Sequence, residues 1–129
     1  MPADMLVVSA DAATTGFVRR AVRCWAPGTT LTVCADGRRA LDHLAESRYR
    51  LALVDQDLTG LCGLEVIRRA CGRGIDTPIV LAASHGTRRL ALRVAQLGGH
   101  DMLQKPLTIS SMLALLRDFL DLDSVGAGR

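Results

Sequence analysis

The chain has 129 residues, 49% of them hydrophobic and 3% aromatic, which suits one domain with an aliphatic core. No apolar run approaches a membrane span, and residues 1–20 lack the basic start and apolar block of a secretory leader, so a cytoplasmic domain is expected. The net charge of +3 is almost wholly arginine, in pairs at Arg19-Arg20, Arg38-Arg39, Arg68-Arg69 and Arg88-Arg89; spread over four predicted helices, they read as solvated faces and argue against a nucleic-acid groove.

Met5-Leu6-Val7-Val8 is the first predicted strand, ending in Ser9-Ala10-Asp11. Thr14 or Thr15 is the expected cap of a helix that turns Val18, Ala21, Val22 and Trp25 inward. Pro27-Gly28 stops it. Thr30–Val33 alternates and reads as a strand near an edge, and Asp36 is the expected cap of a helix burying Ala40, Leu41 and Leu44.

Leu51-Ala52-Leu53-Val54 is a continuous apolar run, the pattern of a strand covered on both faces. It delivers Asp55 to its carboxyl end, followed by the turn Gln56-Asp57-Leu58-Thr59-Gly60-Leu61-Cys62-Gly63. The next helix starts near Gly63, too far on for Asp55 to cap it. Leu64, Ile67 and Cys71 mark that helix, which ends at Gly72 and Gly74.

Pro78–Ala82 is the fourth predicted strand, followed by Ala83-Ser84-His85-Gly86. Leu90, Val94 and Leu97 define a helix ended by Gly98-Gly99. Asp101–Leu103 is a short fifth strand leading to Gln104-Lys105-Pro106. The last helix packs Met112, Leu116 and Phe119 or Leu120. Residues 1–123 form the expected domain, and the Gly-rich segment 124–129 is expected to fray.

Five strands alternating with five helices imply a parallel sheet covered on both faces. Right-handed crossovers place every strand's carboxyl end on one edge, the edge where chemistry collects in such sheets. That edge gathers Ser9 to Asp11, Asp55 to Asp57, Ala83 to His85, and Lys105, the only lysine in the chain.

Two motifs here resemble the response-regulator receiver domain, the CheY-like family. The first is Asp55 through Gly63, which is similar to the family's phospho-accepting Asp and its x-x-x-Pro-Gly-x-x-Gly loop, with Thr59 in place of proline. The second is Gly98-Gly99-His100-Asp101-Met102-Leu103-Gln104-Lys105-Pro106, which is similar to Gly-Ala-x-Asp-Tyr-x-x-Lys-Pro. The resemblance covers nearly the whole chain. It implies a doubly wound (βα)5 fold with strand order 2-1-3-4-5, a phosphoacceptor at Asp55 with Lys105 beside it, and a cis Lys105–Pro106 bond. It also implies Mg²⁺ at the site, a histidine kinase or phosphotransfer protein upstream, and a downstream protein partner.

This chain departs from the pattern in three places. Ser9 and Ala10 stand where receivers carry the two acids that help hold Mg²⁺, and Asp11 is one residue late, where helix entry is its plainer role. Ala83 aligns with the family's Thr or Ser that bonds the phosphoryl group, and Ser84 serves only if the register slips by one. Met102 occupies the aromatic switch position.

The expectation is therefore an atypical receiver that binds Mg²⁺ weakly or not at all and signals by contact, with no enzymatic activity beyond self-phosphorylation and dephosphorylation at Asp55. The alternative is a working phosphoacceptor that recruits Asp11 or Asp57 as metal ligands and Ser84 for the phosphoryl group. His85 is a candidate influence on phospho-Asp55 lifetime, and a homodimer through the last two helices is a candidate assembly.

A flavodoxin-like cofactor binder is the distant alternative. Thr14-Thr15-Gly16 is a poor phosphate loop, and Trp25 and Tyr49 are misplaced to sandwich a flavin. Neither Ser9 nor Ser84 lies in a nucleophile elbow. Cys24, Cys34, Cys62 and Cys71 form no CxxC pair and no zinc spacing with His43, His85 or His100.

Overall fold

The computed structural model describes residues 4–120. The strands are β1 (Met5–Val8), β2 (Leu31–Cys34), β3 (Leu51–Asp55), β4 (Ile79–Ala83) and β5 (Asp101–Gln104). They alternate with the helices α1 (Ala12–Trp25), α2 (Gly37–Glu46), α3 (Gly63–Gly72), α4 (Arg88–Gln96) and α5 (Ile109–Phe119). All strand pairs are parallel, and the order across the sheet is β2-β1-β3-β4-β5. The doubly wound arrangement expected from the sequence is the one observed.

The three inner strands β1, β3 and β4 are buried on both faces because both faces are covered. Leu6, Val8, Ala52, Val54, Ile79 and Leu81 point into a core closed by α2, α3 and Val94 of α4. The alternate residues Met5, Val7, Leu51, Leu53, Val80 and Ala82 point into a second core closed by α1 and α5. This period of two is what a strand geometry requires. β3 sits between β1 and β4 and is buried along its whole length, so Asp55 emerges from the middle of the sheet.

Helix attachment is uneven. Each of α1, α2 and α3 buries four residues, and α5 three, whereas α4 buries only Val94. Leu92 on α4 is 58% exposed.

Of the two expectations for the start of α1, a Thr14 or Thr15 cap and helix entry at Asp11, the second is observed. Asp11, and not Thr14 or Thr15, accepts the N–H of Ala13 at 3.0 Å, and the helix begins at Ala12. Thr14 is buried in the first turn and donates its hydroxyl to Asp11 Oδ2 at 2.7 Å. A carboxylate at the N-cap is favoured over a hydroxyl further in, because it meets the exposed N–H groups and the positive end of the helix together. Asp36 caps α2 as expected. β4 starts at Ile79 instead of Pro78 and runs through Ala83, since a proline has no N–H to give a central strand. The segment 124–129 lies outside the described residues, as does the expected domain end at 123.

Candidate functional site at the carboxyl edge of the sheet

Four segments converge at the carboxyl ends of β1, β3, β4 and β5. Asp55 is 2% exposed, and a carboxylate there needs partners for every lone pair that water no longer serves. It has three. Lys105 Nζ donates to Asp55 Oδ2 at 2.8 Å, Ser9 Oγ donates to the same oxygen at 2.9 Å, and the Asp57 N–H donates to Oδ1 at 3.2 Å.

Lys105 also reaches Asp11 Oδ2 at 3.1 Å. The lysine thus bridges the acid at the end of β3 and the acid that caps α1, with its side chain 11% exposed. Burial alone would pull the ammonium down. The two carboxylates outweigh it and leave Lys105 above its ordinary value. Asp11 is held below its ordinary value, first by the Thr14 hydroxyl and then by Lys105.

Ser9 is buried and has two bonds. Its Oγ accepts the Asp11 N–H at 3.0 Å while donating to Asp55. A chain therefore runs from the backbone of Asp11 through Ser9 to Asp55, and returns from Asp55 through Lys105 to the Asp11 carboxylate. No buried side-chain polar atom among the described residues is left without a partner.

The remaining candidates are less engaged. Asp57 is exposed, and only its backbone joins the site; its carboxylate has no ion pair among the described residues. Ala10 is exposed and offers no oxygen in its side chain. Ala83, at the end of β4, is buried and likewise has no hydroxyl. Ser84 is exposed and lines a cleft with Asp11 and Lys105. Its carbonyl accepts Gln104 Nε2 at 2.6 Å, which ties the β4–α4 loop to β5.

His85 is exposed. His100 lies away from the site, edge-on to Phe119 with ring centroids 4.7 Å apart. Met102 is half-buried against the core beneath α3 and α4. Its methyl group would stand 2.9 Å from a Cβ placed on Gly86. Among the described residues, no three His, Cys, Asp or Glu side chains are grouped to hold a metal ion, and no helix is long and apolar enough to cross a membrane.

Two contributors escaped the sequence reading. Ser9 was legible only as a missing acid, although its place beside Asp11 on the active edge was itself a signal. Gln56, whose side chain accepts the Leu64 N–H at 2.8 Å and so seats the first turn of α3, gave no sequence signal. The peptide between Lys105 and Pro106 is cis, as the resemblance implied.

Among known proteins, the chain is similar to response-regulator receivers. The response regulator receiver domain model matches residues 5–117. The response regulator MprA of Mycolicibacterium vanbaalenii is 34% identical over 122 residues, covering 93% of this chain and 51% of that protein. An uncharacterized transcriptional regulatory protein of Bacillus subtilis, YkoG, is 34% identical over 90 residues, covering 70% of this chain and 40% of its own length.

The chain thus spans about half or less of the curated relatives it matches. Among solved structures, CheY4 of Vibrio cholerae superposes with a TM-score of 0.80 at 20% identity, covering 93% of this chain and all of the other. A CheY-like receiver domain protein of Methanospirillum hungatei gives 0.79 at 16% identity, covering 92% and 93%. These two likenesses speak for the fold. The family match over nearly all described residues, with a relative 34% identical over 93% of this chain, means that the chain belongs to the response regulator receiver domain family of two-component signalling.

Proposed function

We propose that this chain is an atypical receiver whose acceptor aspartate is held by its own side chains, and that it signals through protein–protein contact. The observation that carries this reading is the double occupancy of Asp55 Oδ2 by Lys105 and Ser9. Phosphoryl transfer to a carboxylate brings negative groups together and needs positive charge positioned in advance. Mg²⁺ normally supplies part of it, and it wants near-octahedral oxygen ligands with one or two carboxylates.

The donor set fits that ion poorly. Asp55 is already paired, Asp11 is committed to the α1 cap, Thr14 and Lys105, and Ala10 has nothing to give. Mg²⁺ binding is accordingly weak or absent, and phosphorylation of Asp55 slow or absent. With Ala83 and Met102 at the hydroxyl and aromatic positions, a phosphorylated Asp55 also lacks the groups that normally report it.

A second reading is a working phosphoacceptor with Asp11 or Asp57 as substitute metal ligands and Ser84 for the phosphoryl group. The observation favouring it is that Asp11 comes within 3.1 Å of Lys105, close beside Asp55. In either case the upstream partner is a histidine kinase or phosphotransfer protein and the output is a downstream protein. The working place is the cytoplasm, with the last two helices as a candidate dimer face. Catalysis on an external substrate forms no part of either reading.

The deciding experiment is intact mass after incubation with acetyl phosphate and Mg²⁺, alongside Asp55→Asn. The pre-paired site predicts no added phosphoryl group. A gain that disappears in Asp55→Asn would establish the second reading instead.

A further inference from the structure

A cleft of 610 Å³ runs from the active edge along α1, between that helix and the segment after β5. Its volume is that of a site for a small organic molecule, and its lining is the usual mixture of apolar surface and a few polar groups. Phe17, Pro106 and Leu107 provide the apolar part, Lys105 stands at its head, and Arg20 lies two turns down α1.

Gly16 marks this cleft as more than a surface irregularity. It occupies the interior of α1, where glycine weakens a helix through backbone entropy. Close packing is the usual reason to keep one there, yet a Cβ at Gly16 would meet nothing within 4 Å. No contact inside the molecule calls for the missing side chain. What the missing side chain does is widen the cleft that Gly16 lines.

Charge identifies the occupant. Lys105 is committed to two carboxylates, whereas Arg20 is exposed and has no ion pair among the described residues. We infer that the α1 cleft binds a small amphipathic organic anion, its apolar body on Phe17, Pro106 and Leu107 and its acidic group on Arg20. Asp11 and Lys105 also border the cleft, so occupancy and the Asp55–Lys105 pairing influence one another reciprocally. The cleft itself stands independently of whether Asp55 accepts a phosphoryl group.

The test uses anilinonaphthalenesulfonate as probe on the folded chain, with fluorescence for affinity and amide shifts for location, followed by displacement with octanoate. Expected are shifts confined to residues 11–20, Ser84 and residues 105–107, and displacement by octanoate. Gly16→Leu should raise the thermal midpoint, because it improves the helix, while weakening the probe about tenfold or more by filling its place. Arg20→Glu should weaken it as well, and Arg23→Glu, one turn beyond the cleft, should not.

Unchanged affinity in Gly16→Leu would overturn the inference, as would shifts centred on α4 and α5. Displacement by a designed amphipathic helical peptide but not by octanoate would assign the groove to a protein helix and overturn the small-anion reading. None of these readouts involves phosphorylation, so the outcome is separable from that of the mass experiment.

Discussion

Ser9 and Asp55, at the ends of neighbouring strands, are joined by a 2.9 Å hydrogen bond on the oxygen that also holds Lys105. The serine at the position where the resemblance implies an acid therefore bonds directly to Asp55. A hydroxyl can donate to a carboxylate, whereas a second carboxylate there would repel it unless a cation lay between them.

Restoring the acids should restore the cation. Ser9→Asp/Ala10→Asp is expected to bind Mg²⁺ at least about tenfold more tightly than the wild-type chain, a difference of about 1.4 kcal/mol. Calorimetric titration or amide shifts would measure it. Trp25 is a poor reporter, since it closes α1 and so lies about 20 Å from the helix start, at 1.5 Å per residue. Equal affinities for the two proteins would mean that Ser9 and Ala10 are not what limits metal binding.

The two donors to Asp55 should differ in what they contribute to stability. Ser9→Ala removes one hydrogen bond from a carboxylate that keeps Lys105, together with the acceptor of the Asp11 N–H, and is expected to cost about 1–2 kcal/mol. Lys105→Met leaves a buried carboxylate without its cation and is expected to cost roughly 3 kcal/mol. Urea unfolding of the two variants would show both, and equal costs would contradict the pairing described.

Stability should fall at both ends of the pH range. Asp11 lies below its ordinary 3.8 in the folded protein, so its contribution is complete above that value and is lost as pH falls through the folded pKa. Glu65, drawn down to about 2 by Arg68 and Arg69, acts in the same sense. Lys105 lies above its ordinary 10.5, so its contribution is complete below that value and disappears as pH rises through the folded pKa. Because Thr14 is the largest influence on Asp11, Thr14→Val should move its titration upward, as read from carboxyl NMR shifts. An unmoved titration would refute that ranking.

Gly63 is expected to resist substitution. A Cβ there would stand 2.5 Å from both the Asp55 carbonyl and Leu81 Cδ1. The first of these is backbone and cannot swing aside. Gly63→Ala should therefore destabilise by about 1–3 kcal/mol and shift the Asp55 amide. A neutral variant would show that α3 can back away from β3.

A phosphoryl mimic such as beryllofluoride should leave the fourth and fifth elements nearly in place. Ala83 offers no hydroxyl to pull on, and Met102 is half-buried against the core. Amide shifts confined to the loops after β1, β3 and β5 are expected. Large shifts over residues 85–99 would contradict this.

The strands and helices were legible because their apolar residues repeat at periods of two and of three to four, and because both faces of the sheet are covered. Asp55 and Lys105 were legible because a parallel sheet sends every carboxyl end to one edge. What the sequence did not reveal depends on direction at short range. Whether Asp11 or Thr14 caps α1 turns on which oxygen meets the Ala13 N–H, and composition alone does not rank two eligible residues three apart. Ser9, read as a loss, acquires its role only when β1 and β3 lie side by side. Gln56 and Gln104 act on backbone groups that only the folded chain brings within reach.

The single buried residue of α4 has a dynamic consequence. A helix anchored mainly by Val94 can detach at a free-energy cost well below that of global unfolding, so its amides should exchange with solvent before those of the other four helices. That helix lies across β4 from Asp55, and it can loosen while the two cores stay intact.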